Sequence, residues 1–240
     1  MSTAIITGAS RGLGLALARA LARRGWTLAI DARGERELQL AAAELSELTD
    51  VTAVAGDVSD PWHREVLLAR AGTSIDLLVN NASLLKGSSA DPRAPQPELA
   101  HYPVSDLQRV LSVNVLAPLA LIQEALPSLR DGAAVINITS DAAVEPYEGW
   151  GGYGASKAAL DQLSAILAVE QPRLHVYAVD PGDMRTRMHQ EAFPGEDISD
   201  RPPPEQSVPG LLALIDGSRR SGRYSTRELA PASSSGEVLS

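Results

Sequence analysis

The amino-acid sequence predicts a single α/β domain built around a parallel sheet, and three observations carry the prediction. Apolar runs of strand length alternate with segments of helical periodicity along most of the chain. The first such run opens directly into a glycine-rich turn, Thr7-Gly8-Ala9-Ser10-Arg11-Gly12-Leu13-Gly14, and then a helix. The run Ile75–Val79, apolar but for Asp76, reads as a strand covered on both faces, the habit of parallel sheets. With 240 residues and 44% hydrophobic content the chain can fill one sizeable core. No solenoid-type repeat or linker divides it, so one domain over residues 1–240 is expected.

Composition removes several functions. A formal net charge of −9 and a pI near 4.9 argue against nucleic acid or an anionic membrane as partner. The absence of cysteine excludes disulfides, thiolate metal sites and a cysteine nucleophile. The histidines His63, His101, His175 and His189 stand at no paired metal-ligand spacing, so no metal is expected. No basic segment precedes an apolar stretch at the start, and no run approaches the ~18 apolar residues of a membrane span. A soluble, cytoplasmic protein is the expectation.

Residues 3–7 read as a buried strand, and Leu13, Ala16, Leu17, Ala20 and Leu21 then recur at helical spacing up to Gly25. In that context the glycines permit a tight turn, and the helix N-terminus offers N–H groups to a pyrophosphate. Trp26–Asp31 is the second strand, followed by a helix over 34–48. An acidic residue at this strand end suits the ribose 2′-hydroxyl of NAD, whereas an arginine accommodates the 2′-phosphate of NADP. Asp31-Ala32-Arg33 offers both, and Arg11 adds a second cation. Asp31 has two other uses, holding a backbone turn or pairing with an arginine. The balance favours NADP(H), with NAD(H) as the alternative. Val51–Gly56 is the third strand; Asp57 beyond it either reaches an adenine amino group or, like Ser59, caps a helix over 60–71.

After the fourth strand come Asn80-Asn81-Ala82-Ser83, whose amides either bridge strands or approach a ligand. Residues 84–104, with four prolines, read as a long loop of the kind that serves a site. A helix over 105–129 carries Asn114 among apolar positions, either bending around a water or satisfied as a core amide. Ala133–Thr139 is the fifth strand and ends at Ser140, thirteen residues before Tyr153. A helix over 152–170 begins with Tyr153-Gly154-Ala155-Ser156-Lys157, which sets a phenol one turn from an ammonium on the same face. That cation, with the positive end of the helix dipole, favours the phenolate and lowers a pKa that is ~10 in free tyrosine. His175–Val179 is the sixth strand, leading to Pro181-Gly182 and Thr186. The proline-rich, charged stretch 183–206 is a lid candidate beyond a strand's carboxyl end. Leu211–Ile215 gives a short helix, Arg223–Ser225 a weak seventh strand, and 231–240 a fraying tail.

Taken in order, these segments resemble the short-chain dehydrogenase/reductase family over roughly residues 3–190. The resemblance rests on Thr7-Gly8-x-x-x-Gly12-x-Gly14, Asp57-Val58, Asn80-Asn81-Ala82, Asn114, Ser140, Tyr153-x-x-x-Lys157, and Pro181-Gly182 with Thr186. It implies a Rossmann-like, doubly wound, seven-stranded parallel sheet with helices on both faces. It also implies hydride transfer between the nicotinamide of NAD(P)H and a carbonyl or alcohol carbon. By that resemblance Tyr153 is the general acid-base, Lys157 holds the nicotinamide ribose and lowers the Tyr153 pKa, Ser140 orients the carbonyl, and Asn114 holds a proton-relaying water. The cofactor would lie against Gly8, Ser10, Arg11, Gly12, Leu13 and Gly14, then Arg33, Asp57, Val58, Asn80, Asn81 and Ala82. Tyr153, Lys157, Pro181, Gly182 and Thr186 complete its site. The family's NADP users carry an arginine at the position of Arg33, and the acidic residue of NAD users falls at Ala32.

Two departures from the family pattern stand out. Ser83 replaces a common glycine, and the C-terminal valine-aspartate-glycine-glycine pattern of many tetramers is missing. A homodimer through the two long helices is the safer expectation, with a homotetramer the alternative. Ala142, Ala143, Val144, Tyr147, Trp150, Met184 and Met188 suggest a small, moderately apolar carbonyl or alcohol substrate. Glu145, Glu148, Asp183, Arg185 and Arg187 either bind a polar substrate or face water, and water is the favoured reading. The competing function is a catalytically silent NADP(H)-binding sensor or scaffold, against which the full set Asn114, Ser140, Tyr153 and Lys157 speaks.

Overall fold

A computed structural model describes residues 1–87, 97–217 and 219–229. Seven strands, β1 (Thr3–Ile6), β2 (Thr27–Ala32), β3 (Val51–Ala55), β4 (Ile75–Asn80), β5 (Leu129–Ile138), β6 (His175–Asp180) and β7 (Gly222–Ser225), form one sheet in the order β3-β2-β1-β4-β5-β6-β7. Every neighbouring pair is parallel. The order reverses between β1 and β4, which opens a crevice at their carboxyl ends.

Strand alternation divides the core in two. On one face Ile6, Ile30, Val79, Ile136 and Val179 pack with Leu17 and Leu21 of α1 (Gly12–Ala22), Leu38 and Leu45 of α2 (Glu35–Ser46) and Leu211 of α8 (Val208–Asp216). On the other, Ile5, Ala29, Leu78, Val135 and Val176 pack with Leu67 of α3 (Pro61–Ala71) and Leu121 and Ile122 of α5 (Ala117–Ala125). Adjacent residues of one strand thus serve opposite layers, which is why these strands are almost uninterruptedly apolar.

Three boundaries differ from the sequence-based expectation. The helix expected over 105–129 is α4 (Val104–Leu111), a π turn (Ser112–Leu116) and α5. Pro118 brings no N–H to the ladder, and the chain widens by one residue, the Ala117 N–H reaching Ser112 O. Pro127 ends α5, and β5 starts at Leu129, four residues before Ala133. Between the pairs Ile75–Leu129 and Leu77–Ala134 the register shifts, and Gly132 at φ 82° takes up the excess chain. Asp60, rather than Asp57 or Ser59, caps α3, accepting from Trp62 N at 3.0 Å.

Three further α-helices are present among the described residues: α6 (Gly151–Glu170), α7 (Arg187–Ala192) inside the expected lid, and α9 (Thr226–Leu229). Part of the loop expected over 84–104 and all of the tail expected over 231–240 lie outside the described residues. No described helix is long and apolar enough to cross a membrane, and no three His, Asp or Glu side chains among the described residues could hold a metal ion.

Candidate active site

The crevice at the strands' carboxyl ends is a cleft of about 1020 Å³, and the sequence motifs converge on it. Every candidate residue lines it except Gly14, Asn80 and Asn114. The first turn is held from three sides. Gly8 has φ 67°, and a Cβ on it would stand 2.9 Å from Ala82 Cα; one on Gly14 would stand 2.5 Å from Asn81 Nδ2. Asn81 Nδ2 donates to Thr7 O at 2.8 Å and Gly8 O at 3.1 Å, while Thr7 Oγ1 accepts from the Asn81 and Ala82 N–H groups. Gly14 therefore allows the packing that shapes the turn and does not itself line the cleft. Asn80 is buried and bridges strands, donating to Asn137 Oδ1 at 2.8 Å. Asn80 thus bridges strands, while Asn81 holds the turn and lines the cleft.

Asp31 does not face the cofactor side as a free carboxylate. It is 1% exposed, Oδ1 accepting from Gly8 N at 2.8 Å and Oδ2 meeting His63 Nε2 at 2.9 Å. Burial raises its pKa, while the hydrogen bonds from His63 and Gly8 pull it back. It holds a backbone turn, as one reading of the sequence has it, but pairs with a histidine and not an arginine. The histidine fits because Gly56 leaves room: a Cβ there would stand 2.2 Å from His63 Nδ1. Arg11 and Arg33 line the cleft, exposed, and neither joins a salt bridge among the described residues. Asp57 also lines it, with Oδ1 accepting from Ser59 N and Oγ and Oδ2 from Arg109 at 2.7 Å.

Tyr153 enters in the first turn of α6, and glycines let its surroundings close in. A Cβ on Gly154 would stand 2.6 Å from Ala142 O, so the turn after β5 rests directly on the helix. Ser83 and Ser140 both stand beside the phenol and favour its ionised form. Lys157 Nζ donates to Ile138 O at 2.8 Å and sits 5.4 Å from the Tyr153 ring centroid. Both groups are buried, and burial moves both toward neutrality. Lys157 is pushed down to about 8. The Tyr153 phenol is driven above its ordinary value by burial first; Ser83 and Ser140 pull it down, and the charges of Asp180 and Asp141 push it up. This corrects the expectation of a lowered phenol pKa, because the ammonium points at a backbone carbonyl and the cost of burying a phenolate outweighs its pull.

Asn114, on the π turn, is 1% exposed and fully partnered. Its Oδ1 accepts from Leu84 N at 2.7 Å and Ser83 Oγ at 3.3 Å, and its Nδ2 donates to Leu84 O at 2.9 Å and Ser156 Oγ at 3.0 Å. The amide is satisfied without a water, so it ties the loop after β4 to α6. Ser83 thereby touches both Asn114 and the phenol, a role the sequence showed only as a departure from glycine.

The segment 183–206 lies over this end of the cleft. Thr186 caps α7, and Phe193 meets Trp150 at 5.9 Å with the rings tilted by 43°, while the Trp150 ring meets Tyr153 edge-on at 5.7 Å. Met184, Met188, Tyr147, Trp150 and Ala142 give the substrate end apolar walls, while Ala143 and Val144 stand outside it. Asp183, Arg185 and Arg187 are exposed, as expected, and they also line the cleft, which keeps the polar-substrate alternative open. Two more residues escaped sequence reasoning. Asp141 binds Ser140 Oγ, and Arg223 reaches from β7 to donate to Ser140 O at 3.0 Å. The signal for Asp141 was its adjacency to Ser140; Arg223 lies eighty-three residues away and gave none.

A family model described as short chain dehydrogenase matches residues 2–197. The chain is 35% identical over 197 residues to the rhamnolipids biosynthesis 3-oxoacyl-[acyl-carrier-protein] reductase of Pseudomonas aeruginosa, covering 77% of this chain and 73% of that one. It is 34% identical over 190 residues to serine 3-dehydrogenase of Agrobacterium fabrum, covering 77% and 72%. Among solved structures it is similar to a short chain dehydrogenase from Escherichia coli complexed with NADPH, at 28% identity and TM-score 0.81 over 94% of this chain and 96% of that one.

Proposed function

Because the chain belongs to the short-chain dehydrogenase/reductase family, we propose that it reduces a small, moderately apolar carbonyl compound to the secondary alcohol with NADPH. One observation carries the reading. A buried tyrosine hydroxyl, flanked by Ser140 and Ser83 with Lys157 one turn behind, lies on the wall of a cleft whose other half is a glycine turn and a helix N-terminus.

The residues present fit a nicotinamide dinucleotide. Gly8 and Gly12 hold backbone at φ 67° and 57° where side chains would crowd or strain the turn, and the N–H groups opening α1 suit a pyrophosphate. With Asp31 committed to Gly8 and His63, no carboxylate from the β2 end remains for a ribose 2′-hydroxyl, and Arg11 and Arg33 suit a 2′-phosphate. Asp57, Val58, Asn81 and Ala82 would flank the adenosine half, and Pro181, Gly182 and Thr186 the nicotinamide half. When bound, the reduced nicotinamide supplies a hydride, two electrons with one proton, to the carbonyl carbon. Tyr153 gives its hydroxyl proton to the carbonyl oxygen as that oxygen takes the π pair, and solvent replaces the proton. Lys157 holds ribose hydroxyls and keeps positive charge beside the transient phenolate. Ser140 and Ser83 fix the oxygen against the phenol. The apolar walls exclude water, and the relatives' printed names, an acyl-chain reductase and an amino-acid dehydrogenase, show how widely substrates vary on this framework.

The test is consumption of NADPH and of NADH with a panel of ketones, aldehydes and quinones. Tyr153→Phe is expected to lower turnover by roughly 10²–10⁴-fold while a fluorescence titration shows NADPH binding little changed. A variant that keeps near wild-type rate refutes the assignment. Tight NADPH binding with no turnover of any compound would favour the sensor reading.

A further inference from the structure

We propose that Asp141 is a positioning residue that holds Tyr153 in its proton-bearing form and so adapts the site to carbonyl reduction over alcohol oxidation. The proposal rests on the carbonyl-reductase reading above. Asp141 follows Ser140 directly and lines the same cleft. Its Oδ1 accepts the Ser140 hydroxyl at 2.8 Å and the Ala142 N–H at 2.8 Å, and its Oδ2 accepts the Tyr147 hydroxyl at 3.0 Å.

The carboxylate acts on the phenol in two ways. A serine hydroxyl has one proton to give. Donated to Asp141, it is withheld from a phenolate oxygen until a substrate oxygen draws the Ser140 hydroxyl over; meanwhile Ser140 can accept from the Tyr153 phenol but not donate to its phenolate. The negative charge itself also disfavours a second negative charge nearby. Two carboxylates act on the phenol, and of these Asp141 alone also holds the Ser140 hydroxyl. From α6 comes Lys157, whose ammonium is directed to Ile138 O. From the loop after β4 comes Ser83, uncharged. From the end of β6 comes Asp180, whose charge also keeps the phenol protonated and weighs more than that of Asp141; its Oδ1 accepts from Gly182 N at 2.8 Å and its Oδ2 faces Arg223 at 3.9 Å. Asp141 has no cationic partner among the described residues.

Reduction needs a phenol that gives a proton, and oxidation of an alcohol needs a phenolate that takes one. A charge that keeps the phenol protonated lets reduction persist to higher pH and delays oxidation to higher pH by the same amount.

The experiment reads the Tyr153 proton without turnover. Ring-carbon-labelled tyrosine NMR would be run against pH on the NADP⁺-loaded protein, with the Tyr153 resonance assigned by its loss in Tyr153→Phe. Asp141→Asn keeps an oxygen for Ser140 and Ala142 and removes only the charge; Asp141→Ser removes the carboxylate altogether. Both are expected to lower the Tyr153 midpoint by about half a unit to one unit, allowing for solvent screening of an exposed carboxylate, and Glu148→Gln to leave it in place. The pH limb of turnover, with whichever ketone the panel yields, is expected to move with it. A Tyr153 that titrates at the wild-type midpoint in both variants, or that stays protonated in all three proteins across the pH range of native circular dichroism, overturns the proposal. If no ketone is turned over, the reductase reading fails while the titration still decides what Asp141 does.

Discussion

Asp31 shows how much of this site depends on where one side chain is spent. An acidic residue at the end of the second strand suggests a ribose hydroxyl, yet this carboxylate is buried beneath the Gly8 turn and matched to His63. A buried carboxylate needs such partners, because leaving it unpaired would cost several kcal/mol. Under the proposed function its commitment leaves discrimination between the cofactors to the exposed Arg33 and Arg11. Arg33→Ala is therefore expected to weaken NADPH by about tenfold, ~1.4 kcal/mol, and NADH by much less. Fluorescence titration of both cofactors checks this, and equal losses would remove the 2′-phosphate argument.

At the scale of elements, the break in the helix expected over 105–129 is what lets Asn114 work. A continuous α-helix would leave Pro118 against the ladder; the π turn absorbs it and puts the amide between the loop after β4 and α6. Asn114→Leu, close in volume, strands the Leu84 N–H and C=O and frees Ser156. The expected cost is ~2–3 kcal/mol, a fall of roughly 4–10 °C in melting temperature, accompanied by lower turnover as Ser83 shifts. A scanning calorimetry trace coinciding with that of the wild type would show that the amide carries no such load. This element also marks the limit of sequence reading. The glycine turn, Asn81, Ser140, Tyr153 and Lys157 were legible because each motif spans a few residues beside a strand end. The pairing of Asp31 with His63, the reach of Arg223 and the direction of the Tyr153 pKa were not, because each depends on burial or on a partner brought near only by the sheet order.

For the whole molecule, the two-layer core leaves one large face without a layer of its own. The sheet is covered by α1, α2 and α8 on one side and by α3, α5 and α6 on the other, and nothing described lies beyond α4, α5 and α6. There the surface carries Val104, 72% exposed, Leu116, 59%, Val169, 82%, and Ile166, 43%. Single exposed apolar residues are ordinary, but side chains shared by helices that pack on one another make a patch that a copy of itself can cover about a two-fold axis. We expect a homodimer through this face, with the cleft at the strands' carboxyl ends left open in both subunits. Analytical ultracentrifugation at micromolar concentration is expected to show a dimer that Val169→Glu or Leu116→Glu shifts toward monomer. Each substitution would set two buried, unpaired carboxylates near the axis, a penalty that desolvation alone makes prohibitive. A wild-type protein that sediments as a monomer, or a dimer indifferent to both charges, would place any assembly elsewhere on the fold.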